Sequence, residues 1–265
     1  MVLAPSTLEK NVIHCLSAIA NTLLTLRAIF QWMTAKTSWP HTRNRFGFAS
    51  YSRPEGMLIW VHAASLGELS SARPFLSYLC EQFPNQTLLI TTNNPTALSV
   101  AENWADIRAC FQAAPIDSAR TLKRFLGHWK PDGFVNIESE IWPNRFSLLQ
   151  KQAVPAVMLN ARLSAKSLRG YAKLPAIGQS LGVFRKIFAQ NADSADRFHE
   201  LGVHKDRIET LQNLKSSVQL ETPSAALQTA FQREHTLLAA SIHSGEEAFV
   251  AQAFATLRKA RPNLR

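Results

Sequence analysis

Short apolar segments that suit β-strands alternate with helical patterns downstream of Arg53-Pro54-Glu55-Gly56, and this alternation constrains the fold most. The predicted strands are Leu58–Ala63, Thr87–Thr92, Ala109–Gln112, Gly133–Ile137, Val154–Leu159 and Lys186–Ala189. Helices are predicted to start near Glu68, Pro95, Asp117, Pro143, Ala165 and Ser194. Strands that alternate with helices in this way predict an α/β fold built on a parallel sheet.

The size and cysteine content narrow the class of protein. With 265 residues, 46% of them hydrophobic, the chain can form one large domain or two small ones with a proper core. Cys15, Cys80 and Cys110 are widely spaced and fit neither a disulfide framework nor a zinc site. We therefore expect a reducing, cytosol-facing location.

The charge balance favours an anionic partner. There are 29 Lys and Arg against 19 Asp and Glu, which gives a net charge of +10. Nucleic acid, an acidic membrane surface and a phosphorylated substrate all fit this charge. The basic residues are scattered, and no recognised nucleic-acid motif interleaves them with aromatics, so we expect no nucleic-acid partner.

The segment Val12–Trp32 is apolar but interrupted by polar residues, which makes it marginal as a membrane-spanning helix. The residues predicted to share a broad apolar face are Leu16, Ile19, Leu23, Ala28 and Phe30. Such a face suits a helix that lies in the membrane interface, with Trp32 at headgroup level and nearby basic residues on an anionic leaflet. The alternative is an ordinary amphipathic helix packed on the protein's own core.

The segment Ile59–Ser71 runs from a strand into a helix and places Glu68 in the first helical turn. Ligands of open α/β sheets bind outside the carboxyl ends of the strands, and a helix N-terminus stabilises negative charge. Glu68 is therefore a candidate catalytic base. The alternative is that Glu68 is only a favourable first-turn acid.

Two further strand ends carry polar residues. After Gly133–Ile137, Glu138 and Glu140 are two residues apart, so only one of them can point into a given cleft if the strand continues. Either could be functional or a simple helix-start acid. After the next predicted strand, Ser164 can cap a helix, and Arg162 and Lys166 could hold a phosphate there, unless they form a solvated basic face.

Together, and in this order, these segments resemble the 3-deoxy-D-manno-octulosonic acid (Kdo) transferases of lipopolysaccharide assembly, which join Kdo to lipid A. The resemblance rests on SLGE, ESEIWPN, NARLSAKS followed by GYAK, AQN, NLK and SIHSGEE. It implies two Rossmann-like domains of the GT-B type, with the acceptor recognised by the first and the CMP-Kdo donor held mainly by the second.

The resemblance also implies roles for individual residues. Glu68 would be the general base, and Glu138 and Lys215 would stabilise the transition state. Residues expected to bind the acceptor are Ser65, Gly67, Arg162 and Lys166. The reaction would need no metal or other cofactor, and His62 and His243 are expected to serve local structure. The implied partners are CMP-Kdo, a lipid A precursor and an anionic membrane surface, and the implied location is the cytoplasmic face of the bacterial inner membrane.

The domain organisation is predicted from the residue pattern along the chain together with this resemblance. Residues 1–50 would be a membrane-associated helix and basic segment, 51–212 the Rossmann-like acceptor domain, 213–224 a linker, and 225–265 the start of the donor domain. One strand at Thr236–Ser241 and one helix at Gly245–Arg261 are predicted in the last part. The family's CMP-binding elements would lie beyond Arg265, so a truncated enzyme is expected.

One further departure and two rival interpretations accompany this resemblance. Gln212 stands where the family usually has a glycine, so the loop that presents Lys215 is expected to sit differently. One rival is a non-catalytic module that binds lipid A or a membrane. The other is a GT-B glycosyltransferase with a different lipid or nucleotide sugar.

Overall fold

A seven-stranded parallel sheet organises the larger part of the molecule. A computed structural model describes residues 7–138, 140–217, 232 and 234–265. The chain divides into two units, Met1–Val218 and Gln219–Arg265. The sheet belongs to the first unit, and its strand order is β3-β2-β1-β4-β5-β6-β7. The predicted α/β class with a parallel sheet is confirmed.

The strands are short, and most match the apolar segments of the sequence. They are β1 Met57–His62, β2 Gln86–Thr92, β3 Ala109–Ala113, β4 Gly133–Ile137, β5 Ala156–Ala161, β6 Phe184–Ala189 and β7 Ile208–Thr210.

The helices of the first unit connect these strands. They are α1 Thr7–Met33, α2 Trp39–Arg45, α3 Leu66–Gln82, α4 Pro95–Ala101, α5 Ala119–Trp129, α6 Pro143–Lys151, α7 Ala165–Tyr171, α8 Pro175–Ser180 and α9 Ala192–Glu200. Short 3-10 helices occur at Leu181–Val183, Lys205–Arg207 and Leu214–Ser217.

Side-chain caps fix where several helices begin. The capping residues, which accept a hydrogen bond from a backbone N–H of the first turn, are Ser38, Ser65, Asn94, Ser118, Ser164 and Asn191. These caps satisfy donors that the helix itself cannot. They place the observed starts within two residues of the predicted ones for α3, α5 and α9.

Both faces of the sheet are covered, so the central strands are apolar on both sides. One core contains Trp60, Phe134 and Phe184 of the sheet with residues of α5, α6 and α9. The other core contains Val61 and Ile90 with residues of α3 and α4. Burial on both faces is the reason that the strands read as continuous apolar runs.

Helix α1 contacts the protein with one face and exposes an apolar stripe on another. Asn21 Nδ2 donates to the Asp117 carbonyl oxygen at 2.9 Å, and Ala28 is buried. The stripe consists of Ile19, Leu23, Leu26, Phe30 and Met33, which are 58–73% exposed. The prediction that Ala28 shares this stripe is wrong, because it lies on the opposite side of the helix. The side chain of Leu16 lies outside the described residues.

No helix of the described residues is long and apolar enough to cross a membrane.

The sequence missed α2, α8 and β7, which are all short. In the second unit the predicted helix is present as α10, Glu247–Ala260. The predicted strand Thr236–Ser241 is wrong, since these residues adopt no strand. Leu237 N instead donates to the Arg265 carbonyl oxygen, and Arg265 N donates to that of His235. These two hydrogen bonds are isolated, and the described residues of the second unit contain no strand with which Thr236–Ser241 could form a ladder.

Candidate active site

The candidate site lies where the strand order reverses. Strand β1 pairs with both β2 and β4, so the chain builds outward from β1 in one direction and from β4 in the other. His62, at the carboxyl end of β1, is paired with Asn136 of β4. A crevice forms outside the carboxyl ends of the strands at such a switch point, and ligands of doubly wound sheets bind there. Glu68, Glu138 and Glu140 all follow these two strands.

Glu68 is held by the start of α3. Its Oε2 accepts from the Ala64 N–H at 2.7 Å, and its Oε1 accepts from Ser65 Oγ at 3.1 Å. Ser65 Oγ in turn accepts from the Glu68 N–H at 3.3 Å. This reciprocal pair is a variant of the capping box. The first-turn role considered for Glu68 is therefore present, and the carboxylate is fixed in position by it.

The environment of Glu68 nevertheless favours proton uptake. Burial raises the pKa of Glu68, and the nearby charges of Glu138 and Glu140 raise it further, against the two hydrogen bonds that lower it. A raised pKa makes a carboxylate a stronger base, provided that it is still ionised at the working pH. Among the three carboxylates, Glu68 thus has the electrostatic character of a general base.

Ser65 and Gly67 lie in the same turn but differ in how accessible they are to a ligand. Ser65 is engaged in the cap, so direct contact with a ligand would compete with its bonds to Glu68. Gly67 is exposed, and a Cβ added there would meet nothing within 4 Å. The fold therefore does not require glycine at this position, and the missing side chain leaves the start of α3 open to a ligand.

Glu140 is fixed in its ionised form. Its Oε2 accepts from His62 Nε2 at 3.2 Å, from Asn93 Nδ2 at 3.0 Å and from Trp142 Nε1 at 2.8 Å. Burial alone would raise the pKa of Glu140, but the hydrogen bonds from His62 and Trp142 and the charge of Arg145 outweigh it and lower the pKa to about 2. A carboxylate this acidic is poorly suited to accept a proton at neutral pH.

His62 is buried beneath this carboxylate and is neutral at neutral pH. Burial, with the charge of Arg145, lowers the pKa of His62 to about 4. Since ionised Glu140 can only accept, the His62 proton lies on Nε2. Nδ1 is then free to accept from Thr91 Oγ1, which lies 3.0 Å away. The sequence interpretation gave His62 a local structural role, and the structure adds that it orients Glu140.

Glu138 and Lys215 are brought together from distant parts of the chain. Lys215 Nζ lies 2.9 Å from Glu138 Oε1. The Glu138 side chain is 18% exposed and that of Lys215 is 52% exposed, so the ammonium group sits at the mouth of the site. The ion pair gives the crevice a positive group that a carboxylate already holds in position.

Hydrogen bonds from two other strand ends hold the Lys215 loop. Asn160 Oδ1, in β5, accepts from the Leu214 N–H at 3.2 Å. Asn213 Nδ2 donates to Gln190 Oε1, just after β6, at 3.0 Å. Asn213 Oδ1 also accepts from the Lys215 N–H at 3.0 Å. Leu214 packs on the core beside α3. The loop is therefore anchored on the sheet, although it lies in the segment predicted to begin a linker.

Glu138 and Asn160 both adopt left-handed backbone conformations, with φ of 59° and 53°. For Glu138 this conformation costs roughly 1–2 kcal/mol, and asparagine tolerates it better. The Glu138 N–H is held by the Leu159 carbonyl oxygen at 2.8 Å. Strain of this kind often occurs at functional positions, where it aims a side chain. Here it directs Glu138 out of the line of β4 and toward Lys215.

Arg162 and Lys166 lie at the same edge of the sheet, after β5, and both are exposed. Ser164 caps α7 as predicted, and its Oγ accepts from the Ser167 N–H at 3.0 Å. The helix has only seven residues, and its cap already uses one of the donors proposed for a phosphate. Any anion binding here would rest mainly on the two basic side chains.

The residues that the sequence interpretation missed are mostly amides and arginines around these carboxylates. Asn93 bridges Glu140 and Arg45, since Arg45 Nη1 donates to Asn93 Oδ1 at 2.7 Å. Arg145 is 1% exposed and lies 5.1 Å from the Trp60 ring centroid. Glu140, in the segment ESEIWPN, is the part of this network that the sequence interpretation had singled out. Within the described residues, no group of three His, Cys, Asp or Glu side chains could hold a metal.

Comparison with protein families gives one matching family model. The model described as 3-deoxy-D-manno-octulosonic-acid transferase (kdotransferase) matches residues 40–218. This range contains Glu68, Glu138 and Lys215 together with the sheet that positions them.

Curated relatives extend the match. A probable mitochondrial 3-deoxy-D-manno-octulosonic acid transferase of Arabidopsis thaliana is 32% identical over 235 residues, which is 85% of this chain and 52% of the relative. The 3-deoxy-D-manno-octulosonic acid transferase of Haemophilus influenzae is 30% identical over 229 residues, which is 83% of this chain and 53% of the relative. The chain thus spans about half the length of the curated relatives it matches.

Solved structures agree on the fold. The UDP-GlcNAc 2-epimerase of Methanocaldococcus jannaschii superposes with a TM-score of 0.52 at 12% identity, covering 77% of this chain and 63% of that one. The S. aureus MnaA structure with UDP superposes with a TM-score of 0.52 at 13% identity, covering 79% of this chain and 61% of that one. At this identity the likeness shows the fold alone, which is an α/β, Rossmann-like domain of the GT-B type.

The buried His62 predicts a specific pH dependence of stability. Its pKa of about 4 in the folded protein lies below the ordinary 6.5, so its contribution is present above pH 6.5 and is lost as the pH falls toward 4. Because one proton is taken up at His62 on unfolding, the loss in unfolding free energy approaches about 3 kcal/mol. Urea unfolding of His62→Gln and of the parent chain from pH 7.5 to 4 measures the effect. The difference in unfolding free energy between them should shrink as the pH falls.

The effect of His62 is measured as a difference between His62→Gln and the parent chain, because Asp117 changes the stability of both proteins with pH in the opposite direction. Burial raises the pKa of Asp117 from the ordinary 3.8 to about 6, so the folded state loses stability as the pH rises from 3.8 to about 6. The exposed His204→Gln variant serves as the matched control. A difference for His62→Gln that stays constant over the whole range would contradict the assignment of a neutral, buried His62.

Proposed function

Because this chain belongs to the 3-deoxy-D-manno-octulosonic acid transferase family, we propose that it acts in the transfer of Kdo from CMP-Kdo to a lipid A precursor, lipid IVA. The observation that carries this proposal is the position of Glu68, with its raised pKa, at the switch point that also holds the Glu138–Lys215 ion pair. A proton acceptor and a positive group at one crevice are what a glycosyl transfer requires.

The proposed chemical step is a direct displacement. Glu68 accepts the proton from a hydroxyl group of the acceptor sugar while that oxygen forms a bond to the anomeric carbon of Kdo. The bond between this carbon and the phosphate oxygen breaks, and CMP leaves with the electron pair. The Lys215 ammonium group offsets the negative charge that develops on the departing phosphate, and Glu138 holds Lys215 in place.

The three carboxylates thereby receive different tasks. Glu140, with its pKa of about 2, stays ionised and orders His62, Asn93 and Trp142 around it. Its charge also contributes to the raised pKa of Glu68. Environments that separate the pKa values of neighbouring carboxyl groups are a common basis for acid and base assignments.

We assign acceptor binding to the open edge around Glu68. Gly67 leaves the backbone at the start of α3 accessible, and Ser65 keeps Glu68 in position. Arg162 and Lys166 are exposed at the same edge and offer positive charge to an anionic acceptor. No metal or other cofactor is required in this scheme, because the base and the charge stabilisation come from the protein.

A lipid acceptor places the chain at a membrane surface, and the exposed face of α1 supports that location. The stripe formed by Ile19, Leu23, Leu26, Phe30 and Met33 is larger than isolated surface residues would give. At its end Trp32 and Trp39 pack with ring centroids 4.9 Å apart and remain 43% and 50% exposed. Aromatic residues favour the headgroup region, and the net charge of +10 favours anionic lipids. We propose the cytoplasmic face of the bacterial inner membrane.

Transfer assays with Glu68→Gln test the catalytic proposal. Glutamine keeps an oxygen that can accept from the Ala64 N–H but cannot take a proton. Transfer from CMP-Kdo to lipid IVA should therefore fall about 10²–10⁴-fold, while acceptor binding and thermal stability stay close to those of the parent. Glu68→Ala should lose stability as well, because it removes the carboxylate that accepts from the Ala64 N–H and from Ser65 Oγ in the capping box. The exposed Glu55→Gln is the matched control.

The assay is made with the chain alone and with the chain joined to the unmatched half of the H. influenzae relative. Full transfer by Glu68→Gln in either form would refute the role of Glu68. Lipid IVA binding without transfer in both forms would support a non-catalytic lipid-binding function instead. Transfer from another nucleotide sugar, but not from CMP-Kdo, would point to a different GT-B glycosyltransferase.

Vesicle sedimentation tests the membrane proposal. Replacing Leu23 and Phe30 by serine should reduce binding to anionic vesicles at least tenfold, since each apolar side chain contributes about 1.5–3 kcal/mol when buried. A matched pair of serine substitutions at Tyr78 and Phe83, which are exposed on and after α3, should leave binding unchanged. Equal loss in the two pairs would contradict a specific role for α1.

A further inference from the structure

A cavity of about 460 Å³ lies between α2, α4 and β3. Its buried lining residues include Gln112 of β3 and Asn44 of α2, which are 1% and 5% exposed. Its exposed lining residues include Lys36, which follows α1, and Glu102, which follows α4. The proposed transfer of Kdo uses none of these four residues, so the cavity has no role in that step.

The buried amide of Gln112 has no hydrogen-bond partner among the described residues, at either Nε2 or Oε1. Buried amide groups in proteins are almost always hydrogen-bonded, because an unpaired one costs free energy. Asn44, in contrast, donates from Nδ2 to the Phe48 carbonyl oxygen at 3.0 Å and to Ser50 Oγ at 2.8 Å. An apolar side chain would fill the position of Gln112 at a lower cost. The amide therefore points to a ligand that supplies both a donor and an acceptor.

Lys36 and Glu102 offer opposite charges to the same cavity. Neither forms an ion pair, with the other or with any further side chain that the structure describes. Tyr51 also lines the cavity, and burial raises the pKa of its hydroxyl group, with the charge of Glu102 acting in the same direction. Tyr51 thus stays a neutral donor. Two unpaired charges of opposite sign are complementary to a ligand that is itself zwitterionic.

The acceptors of the cavity select the cationic end of such a ligand. They are the Glu102 carboxylate and the Gln112 amide oxygen, and both need an N–H or O–H donor. A primary ammonium group carries three N–H donors, whereas a quaternary ammonium group carries none. A primary ammonium group therefore fits this set better.

The donors of the cavity select the anionic end. Ser38 Oγ accepts from the His41 N–H at 3.3 Å, and Ser50 Oγ accepts from Asn44 Nδ2 at 2.8 Å. Among the described residues, both hydroxyl hydrogens remain available to donate. With the Lys36 ammonium group they form a set of donors that suits the several oxygens of a phosphate.

The position of the cavity in the chain suggests where such a ligand comes from. Lys36 stands three residues after Met33, which ends both α1 and its exposed apolar stripe. Trp32 and Trp39, whose rings pack together, flank Lys36 in the sequence. If these rings lie at headgroup level, as proposed above, Lys36 lies there as well. A lipid headgroup is then the nearest source of a zwitterion.

We propose that the cavity between α2, α4 and β3 binds the phosphoethanolamine headgroup of a membrane lipid, with its ammonium group at Glu102 and Gln112 and its phosphate at Lys36. This lipid is neither the donor nor the acceptor of the transferred sugar, so the inference goes beyond the proposed function. Only the choice of a lipid as the source rests on the proposed membrane location. A bound headgroup would hold the α1–α2 connection at a fixed depth in the bilayer surface.

Calorimetric titration of the full chain with O-phosphoethanolamine tests the site without a membrane. The ester should bind, and phosphocholine should bind at least about tenfold more weakly, because it cannot donate to Glu102 or Gln112. Glu102→Gln should weaken the binding of O-phosphoethanolamine by a similar factor. Glu81→Gln, a matched change at an exposed glutamate of α3, should leave it unchanged.

Gln112→Leu separates a binding role from a structural one. Leucine has a similar volume and no polar group, so the thermal unfolding midpoint should stay the same or rise, while binding of O-phosphoethanolamine falls about tenfold or more. Gln152→Leu, at an exposed glutamine after α6, is the matched control. A lower midpoint would show that the amide supports the fold, and Glu102→Gln would then decide the proposal alone.

Vesicles test whether the source is a lipid. Vesicles of phosphatidylethanolamine and phosphatidylglycerol should bind the chain more tightly than vesicles of phosphatidylcholine and phosphatidylglycerol in the same proportion. Gln112→Leu and Glu102→Gln should each remove this preference. Dependence on Gln112 and Glu102 for the soluble ester alone would support the site with a soluble phosphoethanolamine compound as its ligand.

Two results would overturn the proposal. One is a parent chain that neither binds O-phosphoethanolamine nor prefers phosphatidylethanolamine vesicles, since ordered water would then be what satisfies Gln112. The other is binding, or a vesicle preference, that persists in both Gln112→Leu and Glu102→Gln. A preference of that kind would come from lipid packing against α1 and not from the cavity. Sugar transfer is not measured in these experiments, so their outcome is independent of the catalytic proposal.

Discussion

The parallel pairing of β1 with β4 is the constraint on which the site depends. It places His62 opposite Asn136 and brings the segments after both strands to one edge of the sheet. Glu68 follows β1, and Glu138 and Glu140 follow β4, so one backbone register sets the positions of three carboxylates. The aromatic core beneath, with Trp60, Phe134 and Phe184, fixes that register because a one-residue slip would turn these side chains to the other face.

Local partners then give chemically similar groups different properties. Glu140 is stabilised as an anion by three donors on one oxygen, while Glu68 is partly buried near two other negative charges. The difference in pKa follows from hydrogen-bond count and charge, since burial acts in the same direction on both groups. The ion pair of Glu138 with Lys215 adds a positive group to the same edge.

The sequence predicted the parts of the fold that depend on local pattern. Gly133–Ile137 was predicted with the observed bounds, and Ser164 caps α7 as expected. It could not predict β7, because Ile208–Thr210 is too short for a periodic signal. The position of Lys215 depends on the Asn160–Leu214 and Asn213–Gln190 bonds, which join residues more than twenty positions apart. The cavity between α1, α2 and the strand ends, which is lined by Arg27, His41 and Arg45, likewise exists only after α1 and α2 pack on the sheet.

The central claim is that Glu68 has the environment of a general base. The pKa of its carboxyl group, measured by NMR of the chain labelled with ¹³C-glutamate, tests this claim most directly. The account predicts a value above the ordinary 4.5, and a lower value in Glu138→Gln, because the Glu138 charge raises it. A pKa at or below 4.5 that does not change in Glu138→Gln would contradict the account, since Glu68 would then be a helix cap without the environment of a base.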